Sequence, residues 1–160
     1  VVYLDVNRNG DLSDDPSYTA KSGHIAEGEI EIMLDYSGNQ RPYSFQIYYF
    51  NEIGFLKLQR TSMYEGIVHL EGKDRPLTIV DDNVNGLYNE LGIDTLVIDL
   101  NGDGVANGKH NNTDDETLDP MNQVFQIYGT SFKVAEVAET GEYIRIEKTA
   151  AAATSIEKTR

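Results

Sequence analysis

Along much of the chain, apolar and polar residues alternate with a period of two. From Gly28 to Tyr36, Ile30, Ile32 and Leu34 alternate with Glu29, Glu31 and Met33; from Tyr43 to Phe50, Tyr43, Phe45, Ile47 and Tyr49 alternate with Ser44, Gln46, Tyr48 and Phe50. Successive side chains of a strand point to opposite faces, so the pattern predicts two half-buried strands. The polar run Ser37-Gly38-Asn39-Gln40 between them predicts a hairpin. After a turn at Asn51 to Gly54, Phe55 to Arg60 reads as a short strand. Gly66 to Leu70 and Pro76 to Val80 flank Glu71-Gly72-Lys73-Asp74 as a second hairpin. Val124 to Tyr128, Phe132 to Val137 and Tyr143 to Glu147 predict a meander turning at Gly129-Thr130-Ser131 and Glu139-Thr140-Gly141. A helical period is confined to one possible turn around Leu87 to Leu91. About ten short strands with such turns predict an all-β fold, an antiparallel sandwich or barrel.

Three apolar runs end in the same polar arrangement. Val1 to Leu4 leads into Asp5-x-Asn7-x-Asn9-Gly10-Asp11, Thr78 to Val80 into Asp81-x-Asn83-x-Asn85-Gly86, and the run from Leu96 to Leu100 carries Asp99-x-Asn101-x-Asp103-Gly104. Side chains at positions one, three and five of a tight loop converge on one point, and glycine at position six permits the reversal that wraps the chain around a hard cation. Short oxygen donors without His or Cys favour calcium; magnesium demands stricter geometry and transition metals prefer nitrogen or sulfur. The full EF-hand pattern is not met. Position twelve is Pro16, Gly92 and His110 in turn, and the flanking segments read as strands, not helices. The closing carboxylate must come from elsewhere: Asp14 or Asp15 in the first loop, Glu90 or Asp94 in the second, Asp114, Asp115 or Glu116 in the third. The candidate ligand set is Asp5, Asn7, Asn9 and Asp11; Asp81, Asn83, Asn85 and Asp94; and Asp99, Asn101, Asp103 and Glu116. The third loop has Asp at both positions one and five, and the second is the least charged.

Length and charge narrow the classes. The 160 residues suffice for one domain over residues 1–148, with sub-units 1–62 and 63–148 as a finer division and a small, polar tail at 149–160. Without cysteine there is no disulfide, thiol nucleophile or thiolate metal site. A formal charge of -14 speaks against nucleic acid and anionic lipid as partners, and no apolar run is long enough for a membrane helix. The excess acid lies largely in the loops, where divalent ions would relieve it. The chain opens on Val1 within a strand, which reads as a processed or excerpted piece of an exported precursor; that terminal strand is expected to complete a sheet in a neighbouring copy.

Other chemistry finds little support. His24, His69 and His110 lack the spacing of a zinc motif, and no Gly-x-Ser-x-Gly elbow occurs. Asn111-Asn112-Thr113 is a formal glycosylation sequon. Tyr48, Tyr49, Tyr64 and Tyr88 form either a platform for sugar rings or the edge of a sandwich core. HLEGKDRPLTIVDD and QIYGTSFKVAEVAE share a strand, glycine turn and strand, a weak internal repeat.

At its loops the chain resembles dockerin and thrombospondin type 3 calcium repeats, without the helices of the first or the cysteines of the second. From Tyr64 to Glu147, YEGIVHLEGKDRPLTIVDDNVNGLYNELGIDTLVIDLNGDG followed by QVFQIYGTSFKVAEV resembles uncharacterised calcium-loop β modules of exported bacterial proteins, some of which precede thioredoxin-like domains. The resemblance implies an extracytoplasmic module with calcium as its ion and no catalytic residues of its own; lacking Cys-x-x-Cys, the chain inherits no redox activity. The expected function is a noncatalytic structural or assembly unit, extracellular or at the cell surface, associating with copies of itself in a fibre or layer or with neighbouring domains of a longer precursor. A carbohydrate-binding module contacting glycan and an accessory domain of a thioredoxin-like protein are the alternatives.

Overall fold

A computed structural model describes residues 1–19, 25–108 and 114–151. Among them are twelve strands and no helix: β1 (Val2–Tyr3), β2 (Ser17–Tyr18), β3 (Ile25–Tyr36), β4 (Asn39–Phe50), β5 (Phe55–Arg60), β6 (Tyr64–Leu70), β7 (Lys73–Val80), β8 (Thr95–Ile98), β9 (Thr117–Leu118), β10 (Phe125–Ile127), β11 (Thr130–Val137) and β12 (Ile144–Lys148). All pairings are antiparallel, so the chain is all-β. The strands form four small sheets, ordered β1-β2, β3-β4-β5, β6-β7-β8-β9 and β10-β11-β12. The chain divides into two compact units, Val1–Ser62 and Met63–Arg160. His24, His110, the sequon and most of the tail lie outside the described residues.

The expected hairpins form, and their turns are tighter than the sequence suggests. Tyr36 pairs with Asn39, Leu70 with Lys73 and Ile127 with Thr130, leaving two residues in each turn. Those pairs, Ser37-Gly38, Glu71-Gly72 and Tyr128-Gly129, all have positive φ, between 49 and 90°. This is the turn whose twist matches that of paired strands. Around Leu87 the apolar spacing serves the core: Tyr88 is buried, its N–H bonds to Glu139 O at 3.0 Å, and no helix forms there.

In the first unit, Ile30, Tyr43 and Ile47 are buried on one face of β3 and β4, and the Tyr18 ring from β2 lies over Gly28. Val2 and Tyr3 pair with Tyr18 and Ser17, so the first strand already has a partner within its own chain. The expectation that it is held out for a neighbouring copy is therefore set aside. In the second unit the alternation of β7 buries Arg75, Leu77 and Ile79 on one side, where Leu96, Ile98 and Leu118 of β8 and β9 are also buried. Phe125 and Phe132 stack at 5.9 Å between centroids across β10 and β11. Apolar burial at roughly 25 cal/mol per Å² makes these cores the main source of stability.

Candidate metal loops

The three Asp-Asn-Gly segments adopt one backbone. Position four has positive φ in each, 60° at Arg8, 59° at Val84 and 83° at Gly102; so does the glycine at position six, 80° at Gly10, 86° at Gly86 and 91° at Gly104. Positive φ at the β-branched Val84 is costly, on the order of 1–3 kcal/mol, and persists only where surrounding bonds over-determine it.

The holding bonds also repeat. The position-one carboxylate accepts the N–H of position six in every loop: Asp5 from Gly10 at 2.9 Å, Asp81 from Gly86 at 2.7 Å and Asp99 from Gly104 at 3.0 Å. Oδ1 at position three accepts the N–H of position five, Asn7 from Asn9 at 3.0 Å, Asn83 from Asn85 at 3.3 Å and Asn101 from Asp103 at 2.7 Å. Oδ1 at position five accepts the N–H of position seven, Asn9 from Asp11 at 2.7 Å, Asn85 from Leu87 at 2.7 Å and Asp103 from Val105 at 2.9 Å. Short oxygen side chains that turn back on the backbone in this way stabilise the loop before any ion arrives.

Each loop then gathers two further carboxylates in distinct roles. One accepts the side-chain amide of position three and that of a second asparagine, at position five in the first two loops and position nine in the third. Asp14 Oδ2 accepts Nδ2 of Asn7 at 3.1 Å and of Asn9 at 2.9 Å; Glu90 Oε2 accepts Nδ2 of Asn83 at 2.8 Å and of Asn85 at 2.5 Å. In the third loop Asp114 Oδ2 accepts Nδ2 of Asn101 at 2.7 Å and of Asn107 at 3.1 Å, with Asp103 Oδ2 3.4 Å from the Asn101 amide. The other carboxylate binds the N–H of position two: Asp15 from Val6 at 3.1 Å, Asp94 from Asp82 at 3.3 Å and Glu116 from Leu100 at 2.7 Å.

The structure thus brings together Asp5, Asn7 and Asn9; Asp81, Asn83 and Asn85; and Asn101 with Asp103 beside Asp99. Asp94 and Glu116 face backbone: Asp94 also accepts the Glu90 N–H at 2.9 Å, and Glu116 those of Asn101 and Asn107 at 3.0 Å each. Asp11 is exposed, and hydrogen bonds from the Ser13 side chain and then from the Ser13 N–H, the latter at 2.9 Å, hold its pKa below the ordinary value. The residues facing the amides, Asp14, Glu90 and Asp114, are those left among alternatives in the sequence. Asp14 and Glu90 both stand at position ten, a shared spacing that singles them out. Asn107 went unnoticed.

Burial sharpens the picture in the second unit. Asp81, Asp94 and Asp99 are fully buried and Glu116 is 2% exposed. Burial pushes the Asp94 carboxyl up to about 6; the backbone N–H groups of Glu90 and Asp82 pull it down, and the neighbouring Asp81 and Glu90 push it up. Beneath the third loop lies Arg75, also fully buried, whose Nη1 donates to Asp99 O at 2.6 Å and stands 3.8 Å from Asp99 Oδ1. Lys73 Nζ donates to Gly102 O at 3.4 Å, and both cations face the Tyr128 ring, 5.8 Å from Lys73 Nζ and 5.2 Å from the Arg75 guanidinium carbon. Lys73 and then Arg75 hold the Tyr128 hydroxyl below its ordinary pKa. Arg75 was missed in the sequence, although its period-two phase with Leu77 and Ile79 points it inward.

Among the described residues, no group of three or more His, Asp or Glu side chains converges as a metal cluster. What the loops gather is a mixed set of carboxylate, amide and backbone groups. Oxygens of that kind fit a hard cation, with Asp5, Asp14, Asn7 and Asn9 as the set in the first loop, and their counterparts in the other two. His69 pairs with Asp74 at 2.8 Å across β6 and β7, exposed and remote in sequence from the loops. The four tyrosines do not form an exposed platform: Tyr88 is buried edge-on to Tyr64 at 4.9 Å, and Tyr48 and Tyr49 are half-buried on opposite faces of β4.

No protein-family model matches the chain, and no curated protein or solved structure is significantly similar to it.

Proposed function

We propose that the chain is a noncatalytic, calcium-stabilised structural module of an extracellular or cell-surface assembly. The observation that carries this reading is the threefold repeat of one loop: the same two positive-φ positions, the same bonds from positions one, three and five, and a carboxylate that gathers two asparagine amides, those of positions three and five in the first two loops and of positions three and nine in the third. A turn alone needs no such carboxylate. In each loop a cation takes the place of the amide N–H donors now clustered on one carboxylate oxygen, and Oδ1 of positions three and five is shared between the ion and the backbone N–H it already accepts. Divalent charge also offsets part of the formal -14.

Calcium binding the folded state alone adds about 2.7 kcal/mol when its free concentration is a hundredfold above the dissociation constant. Weak loops are useful where calcium is millimolar, as it is outside cells. Asp94 supports no enzymatic reading: it is bonded to two backbone N–H groups, and neither groove described in the second unit is lined by it. Calorimetric titration with calcium, followed by melting in calcium and in chelator, tests the proposal. A melting temperature that climbs with calcium is expected; one identical in chelator, with no heat of binding, sinks the reading.

A further inference from the structure

The sheet β3-β4-β5 has two open edges of opposite character. β3 carries Glu27, Glu29, Glu31 and Asp35 and no basic residue, while β5 carries Lys57 and Arg60 and no acid. Among the described residues β3 and β5 each pair only with β4. The strand register places Glu27, Tyr48 and Lys57 in one row across the sheet, so Glu29, Glu31 and Lys57 lie on the same face. The opposite face is mainly apolar, with Arg41 and Arg60 among its residues, and its apolar rows continue to the β5 edge. Ile30 and Ile47 are buried there, yet Leu56 and Leu58, in the same rows as Tyr49 and Ile47, are each 45% exposed.

We infer that β5 receives β3 of a second copy of this chain, edge to edge, to make a sheet that continues from one molecule to the next. The inference deepens the assembly reading above and rests on it. Charge selects the pairing. Two β3 edges set glutamate against glutamate and two β5 edges set lysine against lysine, whereas β3 beside β5 sets Glu27, Glu29 or Glu31 against Lys57. A slip of two or four residues keeps that complementarity and keeps Leu56 and Leu58 on the face of Ile30 and Ile32. Charged residues on an edge commonly block association; charges of opposite sign on the two edges block only the like pairings. Both strands run antiparallel to β4 and hence parallel to each other, so a copy related by translation presents β3 to β5 again and the contact is open-ended.

Sedimentation of the full chain over a range of concentrations, in calcium and in chelator, tests this. The wild type is expected to form species larger than its 17.9 kDa. Lys57→Glu, and separately Glu29→Lys with Glu31→Lys, should each weaken association about tenfold or more while melting as the wild type does. Mixing the two variants should restore it. A wild type that stays monomeric at about millimolar concentration, or assembly indifferent to both variants, overturns the inference. Melting in chelator reports separately on the calcium reading, so a chain that assembles through these edges without binding calcium leaves this inference standing and that one fallen.

Discussion

The second and third loops share a backbone and a bonding plan, yet they balance their charge differently. From Asp81 to Asp94 the second loop contains no lysine or arginine, and Asp81, Glu90 and Asp94 crowd together, with Asp94 raised to about 6 by burial. The third loop is built over Arg75, a fully buried guanidinium against the Asp99 carbonyl, with Lys73 at Gly102 O. Loop geometry is therefore set locally by side chains that fold back on their own backbone, while the means of neutralisation is set by the strand beneath. One loop carries a cation of its own; the other keeps a buried carboxyl that is pushed toward its protonated form.

The largest test of that contrast is Arg75→Met. Removing one member of a buried charged pair costs about 3–5 kcal/mol, since the remaining charge is left in the interior. Denaturant unfolding in chelator should show a loss of that order, and calcium should recover more stability in the variant than it adds to the wild type. A loss below about 1 kcal/mol, no larger than for an exposed pair, would mean that Arg75 does not balance the third loop.

The second loop should announce itself through pH. The folded pKa of Asp94, about 6, lies above its ordinary value of 3.8. The folded chain therefore holds this proton more tightly than the unfolded chain. The stability it contributes is fully present below about pH 4 and is lost as pH rises through 6. The full change is on the order of 3 kcal/mol. Melting of the chelated protein from pH 4 to 7 should show the decline, and Asp94→Asn should flatten it relative to the wild type whatever its absolute stability. If calcium binds the ionised carboxylates, as proposed, it should remove or reverse the decline. An unchanged slope in Asp94→Asn would assign the pH dependence to other acids.

How much of this was legible in the sequence differs between strands and loops. Alternation from Glu29 to Phe50 sufficed for the hairpin, because a half-buried strand leaves its pattern in every second residue. The loops were legible through position six for a similar reason, since their bonds span only two to five residues. Beyond that the chain's path decides. Asp114, position sixteen of the third loop, could not be told from Asp115 or Glu116, because bringing it to Asn101 depends on how the chain returns from β8 to β9. β8 itself stops at Ile98, short of the expected Leu100, since Asp99 turns its carboxylate onto the N–H groups of Gly102 and Gly104. Arg75 was readable from phase alone, but a charged residue in an inward phase is easily taken for a strand edge.

The smallest effect separates backbone from charge at position four, where the second loop has Val84 and the third Gly102. Gly102 has φ of 83°, and an added Cβ would come within 2.7 Å of the Tyr128 hydroxyl and 3.2 Å of Lys73 Nζ. Gly102→Ala should therefore cost about 1–2 kcal/mol, mostly from the left-handed conformation, since the crowding atoms are the ends of flexible side chains. Val84→Gly works in the other direction: it releases a β-branched residue from φ of 59°, and the gain exceeds the added freedom of the unfolded chain. A rise of about 0.5–1 kcal/mol in chelator is expected, measured by denaturant unfolding. If the loop keeps its backbone when an ion binds, the gain should persist in calcium. Were it to vanish in calcium, the left-handed turn at Val84 would belong to the ion-free loop alone, and the two loops would share a backbone only until they are filled.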